Sequence, residues 1–207
     1  MIELYTWPTP TGHIVHIMLE ETGLAYNVHE VNIGAEEQFR PEFLRINPNN
    51  KVPAIVDVGV PGGKPFPVFE SAAILIYLAE KTGKFLPQDA IGRSLVFQWL
   101  MFQAANIGPM MGQFYHFRSG APERIPYALE RYTKEVTRIL SVLNKRLSEV
   151  NYLAGDYSIA DMASWPWVKY APNFDFSWND FPNVKKWHDK IAARPAVQKG
   201  MTVLDRD

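Results

Sequence analysis

The chain opens with apolar and polar residues in alternation, Ile2-Glu3-Leu4-Tyr5, the two-residue period of a β-strand. Pro8-Thr9-Pro10-Thr11-Gly12 then breaks the pattern, and a Thr there can cap a helix. Ile14, Ile17 and Met18 recur at helical spacing, and Gly23 is a natural helix stop. Tyr26 to Val31 alternates again and is rich in strand formers. The pattern predicts a short helix over 39–46, closed by Asn47-Pro48. Two further strands, 52–56 and 67–69, follow around a Pro61-Gly62-Gly63 turn, and a helix from Ser71 to Lys81 stops at Gly83. The order is βαβ, a short helix, then ββα.

Beyond about Asp89 the strand signals disappear. Leu129, Tyr132, Val136, Ile139, Leu140, Leu143 and Leu147 trace one apolar stripe of a long helix. Ser158-Ile159-Ala160-Asp161 has the form of a capping box with Asp in the place of Glu or Gln, so a helix should begin there, and Pro182 or Asn183 should open another. These patterns predict an α/β unit over 1–83, a linker over 84–89 and an all-helical domain over 90–207.

Composition narrows the chemistry. Lys and Arg number 21 against 22 Asp and Glu, a balance that argues against a dedicated nucleic-acid binder. The longest apolar run, around 72–79, is far short of the ~20 residues that span a bilayer. Met1 to Tyr5 reads as the start of a fold rather than as a signal peptide, so a cytoplasmic location is expected. The chain has no cysteine, which removes disulfides, thiolate metal sites and any cysteine nucleophile of its own. His13 and His16 stand three residues apart, but no third ligand has a matching spacing, and no metal is expected.

Several local features coincide in one family. The βαβ–ββα order, Val52-Pro53 ahead of a strand, Glu70-Ser71 at a helix start and the Ser158–Asp161 box together resemble the cytosolic glutathione transferases over essentially the whole chain. That resemblance implies a thioredoxin-like first half with a cis-proline at Pro53. The strings Thr9-Pro10-Thr11-Gly12-His13, Gln38 to Phe43, Asn47 to Lys51, Phe69-Glu70-Ser71, Pro126 to Tyr132 and Leu143 to Leu147 are similar to the Nu class. Those are bacterial enzymes related to a fungal nitrogen regulator, and they reduce disulfides with glutathione. One position departs: the class pattern has Asn where this chain has Thr11, whose hydroxyl is shorter than an amide and points differently.

A cysteine-free chain that handles thiols must borrow its sulfur, and the resemblance implies glutathione as the co-substrate. One or two molecules, or glutathione disulfide, would bind per subunit of a homodimer. The Thr9 hydroxyl and the Thr11 backbone N–H are expected to face the sulfur, with Tyr5 as the alternative donor. Val52, held extended before Pro53, would pair with the cysteinyl backbone; Glu70 would take the γ-glutamyl ammonium and Ser71 its carboxylate. Gln38 and Arg40 would serve the glycyl end or a second glutathione, Lys51 would also contact glutathione, and Arg131 would reach across a dimer interface. Met111, Phe114 and Tyr115, with Met110 and His116, either line a second-substrate pocket or fill the core between two helices. The second substrate is a small disulfide or an electrophile. Conjugation, thioether cleavage and a non-catalytic regulatory role on the same fold stand beside disulfide reduction as alternatives.

Overall fold

The computed structural model describes residues 1–205 and divides into two compact units. One comprises Met1–Lys84 together with the segment from Ala193 on; the other is Phe85–Ala192.

The first unit is built on a four-stranded sheet in the order β2-β1-β3-β4, from β1 (Ile2–Thr6), β2 (Tyr26–Glu30), β3 (Ala54–Asp57) and β4 (Phe66–Phe69). β1 runs parallel to β2 and antiparallel to β3, and β3 is antiparallel to β4. Ile2 and Leu4 are buried, as their alternation requires. Helix α1 (Pro10–Thr22) follows β1 and ends at Gly23, whose φ of 73° only glycine adopts freely. Helix α3 (Ser71–Thr82) follows β4 and stops at Gly83 in the same way. The helix expected over 39–46 is shorter. A 3₁₀ turn, Glu37–Phe39, precedes the four-residue α2 (Pro41–Leu44). The break falls at Arg40, which is extended (φ −63°, ψ 141°) because a residue before proline is driven out of the helical region.

The C-terminal segment belongs with this unit, and not with the helical domain over 90–207 that the sequence pattern suggested. Helix α9 (Pro195–Met201) packs on α1 so closely that a Cβ on Gly200 would lie 2.9 Å from the Ile17 Cα. Two ion pairs fasten the same contact, Arg194 to Glu21 at 2.6 Å and Lys199 to Glu20 at 2.8 Å.

The second unit is helical throughout its regular elements: α4 (Ala90–Phe102), α5 (Gly108–Tyr115), α6 (Pro126–Leu147), α7 (Ile159–Val168) and α8 (Pro182–Ala192). Five-residue π-helical turns, Gln103–Ile107 and His116–Gly120, flank α5. The stripe on α6 buries Val136, Ile139, Leu140, Leu143 and Leu147. α7 starts at the expected capping box: Ser158 caps the first turn, and the Asp161 carboxylate accepts from the Ser158 N–H at 3.1 Å. Asp161 also accepts from the Leu153 N–H and the Trp187 Nε1–H, both at 2.9 Å, so one carboxylate ties together α7, α8 and the loop before α7. It is fully buried, and that burial pushes its carboxyl up to about 6 despite the donors around it. Among the described residues no helix is long and apolar enough to cross a membrane.

Asp161→Ala leaves four buried donors, the Leu153 and Ser158 N–H groups, the Ser158 hydroxyl and the Trp187 Nε1–H, without their acceptor. It should lower stability by about 3 kcal/mol, read as a fall in the urea midpoint, while Thr137→Ala on the exposed face of α6 should leave that midpoint nearly unchanged.

Candidate active site

The register of the sheet brings three chain segments to one edge. Tyr5, near the end of β1, pairs with Ala54 at the start of β3, and Ala54 pairs with Phe69 at the end of β4. The turn after β1, the Val52-Pro53 approach to β3 and the Glu70-Ser71 entry to α3 therefore leave the sheet side by side. Neighbouring strands lie about 4.8 Å apart, so the three segments span about 10 Å, the reach of a short extended peptide. Open α/β sheets bind ligands at this carboxyl end of their parallel strands.

At the β1–α1 turn, Thr9 is the N-cap of α1. Its Oγ1 accepts the Gly12 N–H at 3.0 Å and its carbonyl accepts the His13 N–H at 2.9 Å. Pro10 has no N–H, so Thr11 carries the one first-turn donor that the described residues leave unmatched. The Thr9 hydroxyl has accepted a hydrogen bond but keeps its own hydrogen to donate. Capping and ligand binding are compatible roles for this side chain. Gly12 is required here: a Cβ would sit 2.1 Å from the Trp7 carbonyl oxygen.

At the second helix start, Glu70 adopts φ 67° and ψ 116°, a conformation that costs a non-glycine residue about 1–3 kcal/mol. The twist turns β4 directly into α3 and leaves that helix without a side-chain cap. The Ser71 N–H and hydroxyl and the Ala72 N–H have no partner among the described residues, and they sit at the positive end of the helix dipole. The Glu70 carboxylate is exposed and accepts one bond, from Asn49 Nδ2 at 3.2 Å. The Asn49 loop is itself shaped by Asn47, which accepts the Asn49 N–H at 2.9 Å and donates to the Lys51 carbonyl at 2.6 Å. Between the two helix starts, the Val52-Pro53 peptide bond is cis. The Val52 N–H and carbonyl are both unpaired among the described residues. A carboxylate, an ammonium and an extended backbone could each find a complement along this edge.

The remaining candidates lie nearby in the chain or in the second unit. The Gln38 Oε1 is buried without a partner, an amide that a ligand can complete. Arg40 and Lys51 are exposed, and Arg40 is held by Glu37 at 3.0 Å. The Tyr5 ring stacks on His29 at 4.5 Å and packs against Val31, Phe43 and Ala54, and burial pushes its hydroxyl above the ordinary value. In the second unit, Arg131 is exposed and lines a cavity of about 370 Å³ with Met110, Tyr127 and Tyr132. Met111 and Phe114 require a correction. Met111 has no exposed surface and Phe114 is 2% exposed, enclosed by Phe174 and Phe176, so they are core and not pocket lining. Tyr115 stacks on Phe174 at 4.4 Å and donates to the Trp167 carbonyl at 3.1 Å, which also makes it a packing residue. Their spacing on α5 reads the same for a core face as for a pocket face. Asn49 carried no chemical signal in the sequence, because its contact with Glu70 spans 21 residues. Among the described residues no group of three or more His, Asp or Glu is placed to hold a metal ion.

Residues 1–80 match the family model for the glutathione S-transferase N-terminal domain, and residues 109–195 match that for the C-terminal domain. The chain belongs to the glutathione S-transferase family. Within that family it is 50% identical to the disulfide-bond oxidoreductase YfcG of Escherichia coli, over 97% of this chain and 94% of that protein. Among solved structures it is similar to a glutathione transferase from Burkholderia graminis with two glutathione molecules bound per subunit. The TM-score is 0.95 and the identity 47%, covering 100% of this chain and 89% of that one. A glutathione transferase from Pseudomonas putida, with one glutathione disulfide bound per subunit, has a TM-score of 0.92 and 42% identity, covering 99% of this chain and 92% of that one.

Gly12→Ala drives a methyl group into the Trp7 carbonyl. It should cost about 2–3 kcal/mol in denaturant unfolding, and Gly34→Ala, whose nearest neighbour is the Asn32 side chain at 3.3 Å, should cost clearly less.

Proposed function

We propose that this chain is a glutathione-dependent disulfide reductase whose catalytic thiol is supplied entirely by its co-substrate. The observation that carries this reading is the pair of open helix N-termini, α1 at Thr11 and α3 at Ser71, placed at one sheet edge in a protein without cysteine. The Thr9 hydroxyl and Thr11 N–H face the glutathione sulfur. Val52 pairs with the cysteinyl backbone, Glu70 takes the γ-glutamyl ammonium, and Ser71 with the Ala72 N–H takes its carboxylate. Gln38, Arg40 and Lys51 serve the glycyl end or a second glutathione. Arg131 serves the glutathione of a second copy of this chain, in a two-fold dimer. The 50% identity to a disulfide-bond oxidoreductase and the glutathione-bound relatives support the reading.

The chemistry needs no protein base. A free thiol ionises near ~8.5, and lowering that by ~2 units takes about 2.7 kcal/mol of preference for the thiolate. One hydroxyl donor and one N–H at a helix N-terminus supply a preference of that size. The thiolate attacks one sulfur of a disulfide, a mixed disulfide forms, and the other sulfur leaves as a thiolate that takes a proton. A second glutathione thiolate then attacks the glutathionyl sulfur of the mixed disulfide, giving glutathione disulfide and the second thiol. Two glutathiones are oxidised and one disulfide is reduced. Such a reaction runs forward where glutathione is kept reduced, as in a cytoplasm. The same thiolate can attack an electrophilic carbon, which is the conjugating alternative. That reaction asks for an apolar pocket beside the sulfur, and the burial of Met111 and Phe114 removes two of its expected walls.

A paired assay decides between the two reactions. Reduction of hydroxyethyl disulfide, followed through glutathione reductase and NADPH, should be fast, and conjugation to chlorodinitrobenzene slow. The reverse ratio would make this a conjugating enzyme, and glutathione binding with neither activity would leave a regulator. Thr9→Ala should lower kcat for the disulfide by about 10²-fold, with Thr9→Ser within a few-fold of the parent. Arg131→Ala should weaken glutathione binding if the site is shared between two copies, and unchanged affinity would remove Arg131 from it.

A further inference from the structure

The last residue of β1 lies beneath the proposed sulfur site, and its surroundings are unusual for a strand terminus. Thr6 is fully buried. Its Oγ1 lies 2.8 Å from His16 Nε2, on the second turn of α1, and makes a long contact, 3.4 Å, with the Trp7 carbonyl. That carbonyl accepts the Thr9 N–H at 2.7 Å. The same two oxygens crowd Gly12, whose absent Cβ would fall 2.1 Å from the Trp7 oxygen and 2.9 Å from the Thr6 Oγ1. The Thr6 hydroxyl is thus wedged between the first turn of α1 and the peptide that carries Thr9.

His16 has no exposed surface. The groups that face it are few: the His13 ring, edge-on at 5.4 Å between centroids, the Thr6 hydroxyl, and the Gly200 main chain of α9. Burial first, and the neighbouring His13 second, push its imidazole down to about 3, so it stays neutral wherever the enzyme works. With the hydrogen on Nε2, the neutral imidazole donates to the Thr6 Oγ1, which leaves the hydroxyl's own hydrogen for the Trp7 carbonyl. It cannot serve as a proton carrier for a surface reaction, because it neither titrates near neutral pH nor meets solvent. Its short side-chain hydrogen bond points at the turn. His16 is also gripped from behind: a Cβ on Gly200 would lie 3.1 Å from the His16 carbonyl carbon.

Building on the reading of Thr9 as the sulfur's hydroxyl donor, we propose that the buried Thr6–His16 pair is a positioning device for thiolate formation. It fixes the Trp7 carbonyl, which through the Thr9 N–H fixes the direction of the Thr9 hydroxyl. The pair never touches glutathione. Its contribution is to hold the donor at the angle that favours the thiolate over the thiol, since hydrogen bonds weaken steeply with misalignment. The packing of α9 on α1 holds the imidazole in turn, which gives the C-terminal segment a part in the chemistry at the other end of the chain.

The test is the ionisation of bound glutathione, followed by thiolate absorbance across pH, in the full-length chain. Thr6→Val removes the hydroxyl at nearly constant volume, and His16→Leu removes the same bond from its other end, so either variant that folds is sufficient. Each should raise the midpoint by about 0.5–1 pH unit, which from a parent midpoint near ~6.5 is about a two- to fivefold loss of thiolate at pH 6.5. kcat for hydroxyethyl disulfide should fall by the same factor at pH 6.5 and recover at pH 9, with KM for glutathione within about twofold of the parent. Thr6→Ser, which keeps the hydroxyl, should titrate like the parent. A parental midpoint in a folded Thr6→Val or His16→Leu, or a loss of glutathione affinity without a midpoint shift, overturns the proposal. Thr9→Ala, run beside them, separates the two claims. If it shifts the midpoint and the pair variants do not, the positioning role fails alone. If Thr9→Ala also titrates like the parent, the reading of Thr9 fails and the pair has nothing to position.

Discussion

An α-helix cannot pair the first N–H groups of its own backbone, and the first unit of this protein is organised around where those groups are left. In α1 the deficit is reduced to one. Proline removes a donor, the Thr9 hydroxyl takes the Gly12 N–H, the Trp7 carbonyl takes the Thr9 N–H, and among the described residues the Thr11 N–H remains. In α3 the strained Glu70 supplies no side-chain cap, so the Ser71, Ala72 and Ala73 N–H groups have no partner among the described residues. Both helices follow strands that run in the same direction, so both deficits open at the same edge of the sheet. In the proposed reading, an anionic, extended ligand completes what the fold leaves unpaired: a thiolate at one helix and a carboxylate at the other. The positive φ of Glu70 is the local cost of that arrangement.

Borrowed sulfur changes what such a site must do. An enzyme with its own cysteine tunes one thiol permanently. This chain must bind a tripeptide in register and then favour one protonation state of an atom it does not own. In the proposed reading the selectivity rests on geometry: the angle of one hydroxyl and one N–H. The residues packed beneath the turn, Thr6, Gly12 and His16, are neutral and tightly enclosed.

Much of this was legible in the amino-acid order, and the parts that were not share a physical reason. Turn chemistry is local, so Thr9, Gly23, Gly83 and the Ser158–Asp161 box announced their helix ends. The α6 stripe was visible because its period is sustained over many turns. The composition of 39–46 allows one helix, but the extended Arg40 before Pro41 divides it. The return of α9 to the first unit has no local signal; it depends on Gly200 meeting Ile17 far away in the chain. Met111 and Phe114 were readable as either wall or core, and only their burial, with Phe114 set against distant aromatic residues, decides it. The Asn49–Glu70 and Thr6–His16 contacts are side-chain pairings between elements, invisible to periodicity.

Everything proposed for this sheet edge requires it to prefer the glutathione thiolate to the thiol. The measurement that meets this requirement most directly is a pH titration of thiolate absorbance for glutathione bound to the unmodified protein at saturation. A midpoint about 2 units below the ~8.5 of a free thiol is the expected result. A midpoint that stays near the free value while glutathione is fully bound would contradict it: the edge would then be a binding site that does not activate sulfur.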